Sequence, residues 1–238
     1  MRLIETLADL EEGVGALTEC EPRFGGVAAH GLPALRRRGP GFATLVEIVT
    51  EQMISLKAAR AIIARLKAAY DPFEPMMICS AGMPALQGLG LSRAKAQAIL
   101  AVADAAAAGG LDFDALADNS DDDVRRRLTC YSGIGPWTAE IYLLTALGRS
   151  DAWPSGDVAL QRATETLFGL EGRPSEKTMQ ALAEPWRPWR SVAARLLWAH
   201  YRRTNGISPA VDEEGGPLHR LVAQDIVGWS ETKNVPKG

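Results

Sequence analysis

The sequence predicts an all-α fold. Three observations carry that prediction: apolar residues recur at helical spacing, capping residues and glycine stops mark the segment ends, and stretches of alternating polarity are absent. The chain has 238 residues, 47% of them hydrophobic and 23% charged. That is the balance of an ordinary water-soluble protein, long enough for one large domain or two small ones.

The elements follow in chain order. "GFATLVEIVTEQM" places Phe42, Leu45, Val46, Val49 and Met53 at helical spacing. "SLKAARAIIARLKAAY" restarts the period behind Ser55, a good N-cap. "SRAKAQAILAVADAAAAG" is Ala-rich, capped by Ser92 and stopped by Gly109 and Gly110. Short helices are expected at "DFDALAD" and "DDDVRRRL", whose leading aspartates suit the positive end of a helix dipole. "PWTAEIYLLTAL", "DVALQRATETLFG", "SEKTMQALAE" and "SVAARLLWAHYRR" complete the set, and beyond about residue 204 periodicity fades into an expected tail.

Composition excludes several classes. Cys20, Cys79 and Cys130 lie too far apart for a disulfide framework or an iron–sulfur pattern, so a reducing cytoplasm is expected. The acidic start "MRLIETLADLEEGVG" lacks a signal-peptide core, and no apolar run reaches membrane-spanning length. A net charge of −3 argues against a protein that coats nucleic acid, without excluding a local basic face.

"LTCYSGIGPWTAEIYLLTAL" (128–147) sets two glycines one residue apart before a proline and an apolar helix. Gly133 and Gly135 can take positive φ, and Pro136 suits the first helical position. The resulting hairpin aims backbone N–H groups outward at a helix N-terminus, a ready anion site; a plain interhelical turn is the alternative. Asp157, in "WPSGDVALQRA", read alone is a helix N-cap. "EPWRPWRSVAARLLWAHYRR" holds five arginines and no acid between Pro185 and Arg203, a basic stripe in an acidic protein.

The hairpin resembles that of the helix-hairpin-helix glycosylases of DNA repair, whose motif reads L-x-G-[IV]-G-x-x-[TV]-A. The W-x-P-W-R-S segment is similar to the C-terminal signature of the DNA-3-methyladenine glycosylase II family. "TEQMISLKAARAI" also looks like a family segment. The resemblance runs from about residue 22 to 203 and implies a central helical bundle (about 41–151, hairpin about 121–147). Against it would pack a lobe built from residues 1–40 and 152–238, with the active site in the cleft.

By the same resemblance Asp157 is the catalytic carboxylate, which stabilises oxocarbenium character on the sugar. Spacing from the hairpin and the preceding "WPSG" favour this over a simple cap. Trp137 stands where lyase members carry lysine, implying hydrolysis without a Schiff base. Trp137 and Trp198 would flank an extruded, cationic base, though Trp198 read from the residues alone could equally pack its helix; Ile141 and Tyr142 are also assigned to the pocket. Trp189 is read as helix packing. Gly133, Gly135, Gln52, Met53 and Ser55 would face DNA, Met53 either as a wedge or as core filler. Arg93 and Lys95 are read as surface charges. Carbonyls of Thr129, Tyr131 and Ile134 match a monovalent-cation site; no cofactor is required and no iron–sulfur cluster is expected.

The expected activity is release of alkylated purines of the 3-methyladenine type from double-stranded DNA, leaving an abasic site. A monomer is expected, cytoplasmic and bacterial, acting at the nucleoid without a membrane partner. The alternatives are a non-catalytic DNA-binding module and a glycosylase for deaminated or oxidised bases. Two departures stand out: only some twenty residues precede the matching region where bacterial members often carry a β-rich domain, and Ile141 replaces a pocket tyrosine of some members.

Overall fold

A computed structural model describes residues 2–207. Twelve α-helices follow one another: α1 (Leu7–Cys20), α2 (Arg23–Ala28), α3 (Phe42–Glu51), α4 (Leu56–Ala69), α5 (Pro75–Gly88) and α6 (Arg93–Ala107). Then come α7 (Phe113–Asp118), α8 (Asp121–Thr129), α9 (Pro136–Thr145), α10 (Val158–Phe168), α11 (Glu176–Ala183) and α12 (Arg190–Thr204), with a 3-10 turn at Glu184–Trp186. The expected tail, beyond about residue 204, starts where α12 ends; its residues 208–238 lie outside the described residues.

Local chemistry explains the helix starts. Ser55, Ser92, Asp112, Ser120, Asp157 and Ser175 each cap a helix with a side-chain oxygen that accepts a backbone N–H of the first turn. Thr6 and Asp9 form a reciprocal capping box at α1. Three helices join those expected from sequence: α1, α2 and α5. The last is two short helices run together across Gly82, whose φ of 71° interrupts the helix two residues before Pro84.

Packing sorts the helices into two groups. Helix α3 touches α4, α6 and α9; α5 lies on α6, and α8 on α9. The chain ends meet each other instead: α12 packs on α1, α2 and α10, and α1 also touches α2 and the 3-10 turn. A short antiparallel contact at Leu3 and Arg149 links the groups, with Ile4 N–H donating to Gly148 (2.7 Å) and Ser150 N–H to Arg2 (3.2 Å). Among the described residues no helix is long and apolar enough to cross a membrane.

Of the five arginines of "EPWRPWRSVAARLLWAHYRR", Arg190, Arg195 and Arg202 are buried, while Arg187 and Arg203 are exposed. Arg195 is 2% exposed and donates to the carbonyls of Leu35, Leu144 and Ser191. Burial, with Arg36 and Arg37 nearby, pushes its guanidinium down to about 9. Arg190 is buried against Asp151, while Arg187 pairs with Asp151 and Glu184. Arg190 and Arg195 act from inside, and Arg195 ties α12 to α9 through the Leu144 carbonyl. Trp189 packs in the core, as its sequence context suggests.

Candidate active site

Asp157 stands at the N-cap of α10, where the carboxylate is both cap and centre of a small donor shell. Oδ1 accepts the N–H of Leu160 (2.9 Å) and the indole N–H of Trp198 (3.2 Å). Oδ2 accepts the indole N–H of Trp137 (3.0 Å). The two readings of Asp157 from sequence are therefore not exclusive. A carboxylate offers about four lone-pair sites, three of which are filled, leaving one on Oδ2. The residue is 2% exposed, so that open site lies in a largely desolvated place.

The loop carrying Asp157 is tied at several points. Trp153 N–H donates to Glu140 (2.8 Å), and its indole N–H to the Met179 carbonyl (3.2 Å). Gln161 and Gln180 donate to the carbonyl and hydroxyl of Ser155. Sequence reasoning missed Glu140, Gln161 and Gln180. No single-sequence signal marks them, because each is an ordinary polar residue on a helix face.

Beside the loop opens a cavity of about 580 Å³, lined by residues that include Gln52, Met53, Tyr131, Trp137, Gly156 and Val158. Thr129, Gly133, Ile134 and Gly135 line it too, so the hairpin and the flanks of Asp157 share one cleft. Met53 is 65% exposed in a left-handed conformation (φ 55°), which removes the core-filler reading. Gln52 instead turns inward, donating to the Gly133 carbonyl (3.1 Å) and Thr138 hydroxyl (2.8 Å), and so braces the hairpin. Ser55 spends its hydroxyl on the Ala58 N–H as the α4 cap.

The hairpin glycines differ. Gly133 has a φ of 87°, and a Cβ built there would lie 2.7 Å from the Cβ of Ala98 on α6. Its glycine is required by the chain's own turn and packing. Gly135 takes φ −90° and ψ 178°, conformations open to any residue, and its added Cβ would meet nothing within 4 Å. The expectation of positive φ thus holds for Gly133 and not for Gly135, which merely enters α9 in an extended conformation.

Other expected site residues lie elsewhere. Tyr142 is fully buried against Phe113, and its hydroxyl accepts the Gly41 N–H at 2.9 Å, so it does not face the cleft. Burial pushes its phenol up to about 12. Ile141 is buried as well and is not part of the cavity lining. Trp198, 4% exposed, meets Asp157 as a packed wall rather than an open ring. Lys95 donates to the Thr50 carbonyl at 2.8 Å, closing the C-terminal end of α3, and is not a free surface charge. Arg93 is exposed.

Residues 46–188 match the model of the HhH-GPD superfamily of base excision DNA repair proteins. The chain belongs to that superfamily. The Bacillus subtilis protein YfjP is 28% identical over 162 residues, which span 65% of this chain and 56% of YfjP's own length. Escherichia coli DNA-3-methyladenine glycosylase 2 is 27% identical over 197 residues, 76% of this chain and 67% of that protein. The 3-methyladenine DNA glycosylase of Schizosaccharomyces pombe, solved with abasic DNA, superposes with a TM-score of 0.74 at 22% identity. That match covers 82% of this chain and 97% of the yeast one. Superfamily membership and this likeness give the all-α glycosylase fold its place.

Proposed function

We propose that the chain is a monofunctional DNA glycosylase that hydrolyses the N-glycosidic bond of alkylated purines of the 3-methyladenine type in duplex DNA. The observation that carries this reading is Asp157: a buried carboxylate with one open lone pair, beside the cavity that the hairpin also lines. As the glycosidic bond lengthens, the sugar gains oxocarbenium character, and a fixed negative charge beside it lowers the barrier. The open site on Oδ2 is where an attacking water or the sugar cation itself would be met. The shell of N–H donors holds the charge in place before the reaction begins.

The substrate class follows from what the cavity lacks. Among the described residues its lining contains no acid, histidine or lysine to protonate a departing base. N-alkylated purines carry a positive charge and leave without such help, and the Trp137 ring offers a cation an aromatic partner. Relatives named as 3-methyladenine glycosylases support the same class. The outward site for DNA would be the hairpin. Gly135 is a glycine that neither the backbone nor packing explains, and it leaves room for a phosphate at the start of α9. Met53, held outward at the cavity's edge, would fill the gap left by the extruded base.

A monovalent cation would be held by the carbonyls of Thr129, Tyr131 and Ile134, at and just beyond the end of α8, where the Tyr131 carbonyl also accepts the Ile134 N–H (3.1 Å). Bound there it would add positive charge toward a phosphate. The protein would act as a monomer on damaged duplex DNA.

The test is release of labelled free base from duplexes carrying 3-methyladenine, hypoxanthine or 8-oxoguanine, with borohydride present in a parallel reaction. Excision of the alkylated base with no trapped covalent adduct is expected. Preferential release of hypoxanthine or 8-oxoguanine would reassign the substrate class; no release from any duplex would leave a DNA-binding module.

A further inference from the structure

We propose that Glu140 is a positioning residue for the Asp157 loop, anchoring that loop to the hairpin through the exit helix α9. The proposal rests on the glycosylase reading for its effect on rate, though its structural half stands without it. Trp137 and Glu140 are three residues apart and so share one face of α9. Trp137 holds the Asp157 carboxylate, and Glu140 Oε2 accepts the N–H of Trp153 four residues upstream (2.8 Å). One helix face therefore grips the loop at both ends.

Two further observations give the contact its weight. Trp153 is 2% exposed, so its backbone N–H has no water to turn to, and an unmet buried donor is costly. Glu140 is in turn fixed by Arg125 of α8, whose Nε donates to Oε1 (2.6 Å) and Nη2 to Oε2 (3.3 Å). The Arg125–Glu140 pair cross-links the two helices of the hairpin. Helix packing alone would leave the exit helix free to shift against the loop. The other ties on Ser155 and Trp153 come from α10 and α11, in the terminal lobe. Glu140 thus ties the loop that carries Asp157 directly to the hairpin that would hold the DNA.

The consequence is one of geometry in the reacting complex. A displacement of about 1 Å at a catalytic group can cost on the order of 10²-fold in rate without loss of substrate binding. Glu140→Met removes the acceptor while keeping the side chain's length, and Arg125 retains Asp122 as a partner (2.7 Å). Glu140→Gln keeps an oxygen able to accept the Trp153 N–H.

The experiment measures three quantities on full-length wild type, Glu140→Met and Glu140→Gln. These are amide hydrogen exchange at Trp153, single-turnover base release at saturating 3-methyladenine duplex, and duplex Kd. In Glu140→Met, exchange at Trp153 should accelerate at least about tenfold, since the amide loses its native acceptor. Base release should fall ~10–100-fold while Kd stays within a few-fold. Glu140→Gln, whose single oxygen can accept the Trp153 N–H only with its NH2 turned toward Arg125 Nε, should fall between Glu140→Met and wild type in both exchange and rate. Unchanged exchange at Trp153 in Glu140→Met, or an unchanged rate at saturating DNA, would overturn the proposal. A wild type that releases no base defeats the glycosylase reading alone, because the exchange measurement still decides the loop contact.

Discussion

The hairpin (128–140) and the segment ending in α12 (184–203) both look like nucleic-acid features in sequence, yet they spend their residues in opposite directions. The arginine-rich segment turns two of its cations to internal work: Arg195 and Arg190 are buried, one on carbonyls and the other on Asp151, while Arg187 and Arg203 stay exposed. The hairpin leaves Gly135 with neither a backbone nor a packing reason to be glycine. A charge count along the chain cannot tell a surface cation from an internal clamp. A residue whose identity the protein itself does not use is the better pointer to something outside it.

Asp157 is where the two regions meet, through one indole from each, and changing it should have the largest effect. Asp157→Asn should slow single-turnover base release ~10²–10³-fold, the usual cost of losing one preorganised electrostatic group. Duplex Kd should stay within a few-fold of wild type. A rate near wild type would reduce Asp157 to its capping role.

Arg195→Met comes next and asks whether the arginine segment is internal. Loss of three donations should leave buried carbonyls unmet, costing about 2–5 kcal/mol in denaturant unfolding. The salt dependence of duplex binding should not change, because no phosphate contact is lost. A shallower salt slope would move Arg195 to the DNA side.

The hairpin glycines sharpen the contrast within one motif. Gly133→Ala should cost about 1–3 kcal/mol of stability, from the left-handed backbone and the crowding against Ala98. Gly135→Ala should leave the unfolding midpoint unchanged and weaken binding to undamaged and damaged duplex alike by several-fold. Equal effects of the two substitutions on stability would erase the distinction.

The features legible in sequence were those with a local cause. Ser55, Ser92 and Asp157 cap helices because short oxygen side chains meet free N–H groups next to them in the chain, and the same logic located the hairpin. Tyr142 was misplaced for a physical reason. From Thr138 to Leu147 every residue except Glu140 is buried, so α9 has almost no polar face to show which side looks into the cleft. The kinked α5 was hidden by Gly82 and Pro84, which break the period. Helix α1 did carry a signal, since Leu10, Val14 and Leu17 recur at helical spacing behind Thr6. Glu140 was invisible because its partner, a backbone N–H thirteen residues on, has no residue type.

The pairing of residues 2–4 with 148–150 bears on the order in which a ribosome delivers this chain. Helices α3 to α9 occupy one continuous stretch and can pack as they emerge. The first two helices can pack on each other, but their further partner α12 is made only some 170 residues later. Domains tend to fold as units during synthesis, and all the helices of the central bundle are available before α12 is made. Asp157 is translated before the indole of Trp198 that helps to hold it. The donor shell around Asp157 is therefore complete only once α12 has been made, and a polypeptide released before α12 lacks the Trp198 donor.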